Sequence, residues 1–167
     1  MKFTLIIFVV FSQFCFSQEE DEYEIPRCKL EYQLNTKNLD SSKSFELIVF
    51  NRENRPLKIA DTFLEMRIQA KNISVFKQDS NEFMPIRGNN VDVCFLDYKE
   101  KFVTLKPNES KTFNFNVRDL SLPSNVLSVG HKYRLQFWFD MIDLLKGSRN
   151  EKCIPRDFTS DPIVFDY

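Results

Sequence analysis

The sequence predicts an all-β fold: a single antiparallel β-sandwich of seven to nine strands, preceded by a signal peptide. Two observations predict the sheets. From Cys28 onward apolar residues recur with a period of two, and stripes of helical spacing are scarce. Eighteen phenylalanines stand against three glycines, so large, strand-favouring rings make up much of the apolar content. A third observation predicts export. Lys2 precedes the apolar run 3–11, Cys15 and Ser17 are small residues at cleavage spacing, and the acidic run Glu19-Glu20-Asp21-Glu22 follows.

Residues 1–17 read as the signal peptide rather than an anchor. A spanning helix needs about 20 apolar residues, and Ser12 and Gln13 interrupt this run. Acylation at Cys15 fits less well, because Phe14 stands where a small residue is expected. Cleavage after Ser17 removes 17 of 167 residues and leaves 150, enough for one domain with a sizeable core. Lys2 is the only charge removed, so 22 basic residues face 24 acidic ones, a net of −2. Residues 18–27 are acidic, end near Pro26 and read as a flexible lead-in; the sandwich domain is 28–167.

The strands follow in order. Leu30, Tyr32 and Leu34 alternate with Glu31 and Gln33, and residues 35–43 are polar and turn-like. Phe45, Leu47 and Val49 share a face, and residues 51–56 form a turn ending in Pro56. Leu64, Met66, Ile68 and Ala70 alternate with Glu65, Arg67 and Gln69; Ile73, Val75 and Phe76 read as a short separate strand. Residues 78–92 are polar and irregular, and residues 102–105 are short and apolar. Lys106-Pro107-Asn108-Glu109-Ser110 is a turn: proline presets φ and asparagine tolerates the left-handed conformation. Phe113, Phe115 and Val117 follow. Tyr133, Leu135, Phe137 and Phe139 then alternate with Lys132, Arg134, Gln136 and Trp138. Residues 143–157 are a polar loop, and Ile163, Phe165 and Tyr167 form the last strand. Antiparallel sheets fit this spacing; an α/β fold needs amphipathic helices between strands.

Gly130-His131-Lys132-Tyr133-Arg134-Leu135 resembles the tyrosine corner of immunoglobulin-like sandwiches, in which a buried Tyr hydroxyl ties back to the preceding connection. Leu135 stands where antibody domains have a cysteine, so their inter-sheet disulfide is absent. The turn 106–110 between the strands at 102–105 and 113–117, the Gly-x-Tyr opening of the next strand and the Asn51-to-Leu57 turn together resemble a recurring secreted Ig-like module. Such modules stand alone or lie beside deuterolysin-type metallopeptidases as non-catalytic domains. The resemblance implies an immunoglobulin-like topology and no peptidase activity, since the zinc motif is missing. Asn108 replaces the glycine the module prefers.

Composition excludes several functions. Three glycines leave no Gly-rich phosphate loop. The lone His131 excludes HExxH-type metal motifs and weighs against a Ser-His-Asp triad. No basic stretch interleaves with aromatics as nucleic-acid binding requires. Three cysteines remain after cleavage, Cys28, Cys94 and Cys153. In an oxidising compartment they predict one bridge and one free thiol. Cys94–Cys153 is the preferred pair, because Cys28 adjoins the lead-in.

The candidate contact residues are Trp138 and Arg134 on the outward side of their strand, beside Lys132 and Gln136, and Lys146 and Arg149 at a hairpin tip. A tryptophan beside cationic stems suits a protein or carbohydrate contact. Asp140, Asp143, Asp157 and Asp161 carry oxygen ligands but match no EF-hand spacing and read as solvated loop carboxylates. Asn72 and Asn108 head glycosylation tripeptides, which matter only in a eukaryotic host. The sequence therefore predicts a secreted, non-enzymatic binding module without cofactor or membrane span. The alternative is an inhibitor or pro-domain-like partner of a secreted peptidase, with residues 78–92 as its loop. A hydrolase would need a converging acid–base set that the sequence lacks. N-terminal sequencing of exported protein is expected to begin at Gln18; an exported chain retaining Met1 contradicts the signal-peptide assignment.

Overall fold

The computed structural model describes residues 26–63, 67–86, 101–120, 126–145 and 153–167. The strands are β1 (Leu30–Asn35), β2 (Ser44–Asn51), β3 (Leu57–Ala60), β4 (Ile68–Lys77), β5 (Glu82–Pro85), β6 (Phe102–Leu105), β7 (Ser110–Asn116), β8 (Lys132–Phe139), β9 (Phe158–Thr159) and β10 (Ile163–Asp166). One helical turn, α1 (Leu39–Ser42), joins β1 to β2. All strand pairs are antiparallel: β1-β2-β7 in one sheet, β10-β8-β4-β5 with β9 beside β8 in a second, and β3-β6 as a pair.

The alternation along β2 and β8 decides how the sheets meet. Phe45, Leu47 and Val49 turn inward from β2, and Tyr133, Leu135, Phe137 and Phe139 from β8; all seven are buried. The Phe45 ring stacks on Phe137 at 4.3 Å between centroids, across the two sheets. Phe115, paired with Phe45 in the register, lies 6.2 Å from Phe139. Phe63 sets its edge against Phe113, Phe115 and Phe139. Tilted and edge-on ring pairs add about 0.5–1.5 kcal/mol each beyond their buried area.

Several elements differ from the sequence expectation. Ile68 to Lys77 is one strand, not two, because the register with β8 shifts between Lys71 and Ser74. Asn72 there adopts φ 54°. The bulge lets Ile68, Ala70, Ile73 and Val75 all face the core side, so the spacing jumps from two to three and hides the continuity. Strand β5 occupies part of the segment expected to be irregular, and β3 follows Pro56 where no strand was read. Leu39, in the turn-like stretch, is buried. Leu64 and Met66 lie outside the described residues. Between β9 and β10, Ser160 keeps the ladder intact: the Phe137 N–H donates to its hydroxyl, and its own N–H donates to the Phe137 carbonyl.

The disulfide also differs. It joins Cys28 to Cys153, not Cys94 to Cys153; Cys94 lies outside the described residues. The end of the lead-in is held by backbone pairing: Ile154 N–H donates to Pro26 O, and Cys28 N–H donates to Ile154 O. That brings the two Cα atoms to 4.9 Å. The bridge spans 125 residues, and cross-links over long loops restrict the unfolded chain most. Arg55 Nη2 donates to Cys153 Sγ from the other side.

One buried polar residue ties three turns together. Asn51, at the end of β2, is fully buried. Its amide donates to the carbonyls of Arg55 and Leu105 and accepts from Glu53 N–H. Its backbone pairs with Asn108 and Glu109 in the turn before β7. Asn108 takes φ 63° there, the left-handed conformation that asparagine tolerates. Asn51→Ala would orphan two carbonyls and one N–H, each costing about 1–3 kcal/mol when buried. Urea unfolding is expected to show a loss of roughly 3 kcal/mol or more; a loss under about 1 kcal/mol contradicts this account.

Candidate functional site

With the inner side of β8 committed to the core, Lys132, Arg134, Gln136 and Trp138 share the outer side. Residues directly opposite in an antiparallel pair lie on the same face. The register therefore adds Gln69, Lys71 and Ser74 from β4, Thr159 from β9, and Val164 and Asp166 from β10. Beyond the bulge Phe76 also faces out, and Phe83 of β5 pairs with it, the rings 5.3 Å apart.

Two cations lie on rings across this face. Lys71 Nζ sits 4.1 Å from the centre of the partly exposed Trp138 ring, and Arg134 Cζ sits 4.8 Å from that of Phe83. Neither has a carboxylate partner among the described residues. Other cations do: Arg52 pairs with Glu31, Lys111 with Asp61, and Lys132 with Asp166. Trp138 is the only tryptophan of the chain. Asn72 donates from the bulge to Gln136, which donates in turn to Ser160 O. At one end of the face a groove of about 660 Å³ opens between Phe76, Lys77, Asp79, His131, Lys132 and Asp166.

The opposite surface of the molecule differs in charge. The outer side of β1 and β2 carries Glu31 and Glu46 among amides. Hydrogen bonds from Arg52 and then Gln33 hold the Glu31 carboxyl below its usual range.

Three of the four loop carboxylates named from the sequence, Asp140, Asp143 and Asp157, serve the fold. The Arg67 guanidinium binds both Asp140 and Asp143, and Asp157 accepts from Met141 N–H. No cluster of three metal-ligating side chains occurs among the described residues. Lys146 and Arg149 lie outside them. Lys71 and Phe83 were missed: Lys71 joins this face only through the pairing of β4 with β8, and Phe83 sat in a stretch without alternation. Asn72 and Asn108 are both exposed.

Tyr133 is buried, and its hydroxyl accepts from Ser128 N–H at 2.8 Å, within the connection that precedes β8. The Tyr32 hydroxyl is its opposite: it is buried with no hydrogen-bond partner among the described residues. Desolvation, reinforced by the charge of Asp157 and opposed by Arg156, pushes its pKa up.

The chain matches no family model and no curated protein. Among the described residues no helix is long and apolar enough to cross a membrane.

The two tyrosines should respond oppositely to loss of the hydroxyl. Tyr133→Phe is expected to cost about 0.5–1.5 kcal/mol, whereas Tyr32→Phe is neutral or stabilising by about 1 kcal/mol. A raised folded pKa means that the Tyr32 contribution is full below the unfolded value near 10 and is lost as pH rises above it. Tyr32→Phe should therefore flatten the alkaline fall in stability. Urea titrations at neutral and alkaline pH check both points; a Tyr32→Phe loss above about 1 kcal/mol contradicts the assignment.

Proposed function

We propose that this chain is a secreted, non-enzymatic binding module of immunoglobulin-like β-sandwich topology, and that it binds through the outer face of β8 and β4. The carrying observation is the pair of cations laid on aromatic rings, Lys71 on Trp138 and Arg134 on Phe83, with no carboxylate partner among the described residues. Trp and Arg are enriched among the residues that anchor recognition surfaces, and a ring face attracts a cation laid on it. Support for the topology comes from the two facing sheets, the Tyr133–Ser128 bond and the Asn51 turn. Support for export comes from residues 1–17 and the Cys28–Cys153 bridge.

The lone tryptophan makes the face directly measurable. If the face is open and cationic, iodide should quench Trp138 emission several-fold more strongly than caesium. Lys71→Ala should bring the two quenchers together. Equal, weak quenching by both in the native protein would mean that the face is shut, and the proposed contact surface falls.

A further inference from the structure

We infer that the face around Trp138 takes an acidic polysaccharide, with sugar carboxylates on Lys71 and Arg134 and a sugar ring against the indole. This rests on the contact surface proposed above and adds its ligand class.

Charge is the first argument. The chain has a formal net charge of −1, so carboxylates are not scarce. Among the described residues Arg52, Lys106, Lys111 and Lys132 pair with acids. Lys71 and Arg134 do not, although they share one sheet face two register positions apart. Each cation leans over its own ring, Lys71 on Trp138 and Arg134 on Phe83, and each is exposed to an anion of its own. The rings beneath hold the two side chains down, so less rotamer freedom is lost on binding.

Shape and chemistry choose the polysaccharide over other polyanions. Trp138 and Arg134 are four residues apart on β8, roughly 13 Å at about 3.4 Å per residue. An extended ligand therefore reaches both, and a single sugar does not. Beside Trp138 stand Gln69 and Thr159, whose amide and hydroxyl match sugar hydroxyls. A nucleic acid strand asks for a continuous basic groove with several stacking rings, and this face has two unpaired cations and one indole. An acidic protein partner remains an outcome of the test.

Affinity electrophoresis through gels containing polygalacturonate, with neutral dextran as control, tests the inference. The native protein should be retarded by polygalacturonate and not by dextran, and added salt should weaken the effect. Lys71→Ala and Arg134→Ala should each weaken binding about tenfold, the equivalent of about 1.4 kcal/mol, and Lys71→Arg should restore most of it. Lys58→Ala, at the exposed position of β3, should change nothing. Melting temperature identifies any variant that fails to fold, and the salt dependence of the native protein then stands in for it. Absence of retardation by polygalacturonate overturns the inference. If dextran retards the protein and Trp138→Ala abolishes that, or if an acidic protein competes for the Trp138 signal instead, the ligand class falls and the contact surface stands. If polygalacturonate binds and no substitution on the face affects it, both fall.

Discussion

The stack of Phe45 on Phe137, 4.3 Å between ring centres, is the contact on which the rest of the molecule depends. It joins the two larger sheets at their middle strands, and it fixes which side of β8 faces the core. A strand has only two faces, so burying Tyr133, Leu135, Phe137 and Phe139 leaves Arg134 and Trp138 no choice. A slip of one residue would bury Arg134 and expose four large apolar side chains. The outward placement of Arg134 and Trp138 is thus a by-product of core packing.

The β4 bulge has an equally direct effect on that surface. With an unbroken alternation from Lys71, residues 73 and 75 would face out and Phe76 would face in. The shift at Asn72 instead keeps Ile73 and Val75 on the core side and turns Ser74 and Phe76 outward. Phe76 then meets Phe83, and Phe83 lies under Arg134. One left-handed asparagine therefore links backbone irregularity to the chemistry of the face.

How much of this was legible follows from where periodicity holds. The inner sets of β2, β7 and β8 were readable, because a half-buried strand writes its burial as a period of two. The short strand at 102–105 was readable from its apolar run. Strand β4 was split in two because a bulge breaks the period without breaking the strand. Strand β5 was unreadable, since an edge strand with little buried surface carries no strong alternation. The disulfide was misjudged because proximity to a polar lead-in is a local property, whereas the Pro26–Ile154 and Cys28–Ile154 bonds are set by how the chain ends return. At the site, Trp138 and Arg134 were legible from β8 alone. Lys71 and Phe83 were not, because the face they share with β8 is fixed only by strand register.

Cations without a carboxylate partner differ from cations in ion pairs in what binding has to undo. For Lys111 or Arg52, an incoming anion must displace a carboxylate already in contact, and the released acid must be rehydrated. For Lys71 and Arg134 no such exchange is needed. The ring quadrupole stays attractive to the cation while the anion approaches from the open side. On the proposed reading, a chain near electrical neutrality presents one surface that attracts acids without the general stickiness that a high net positive charge brings.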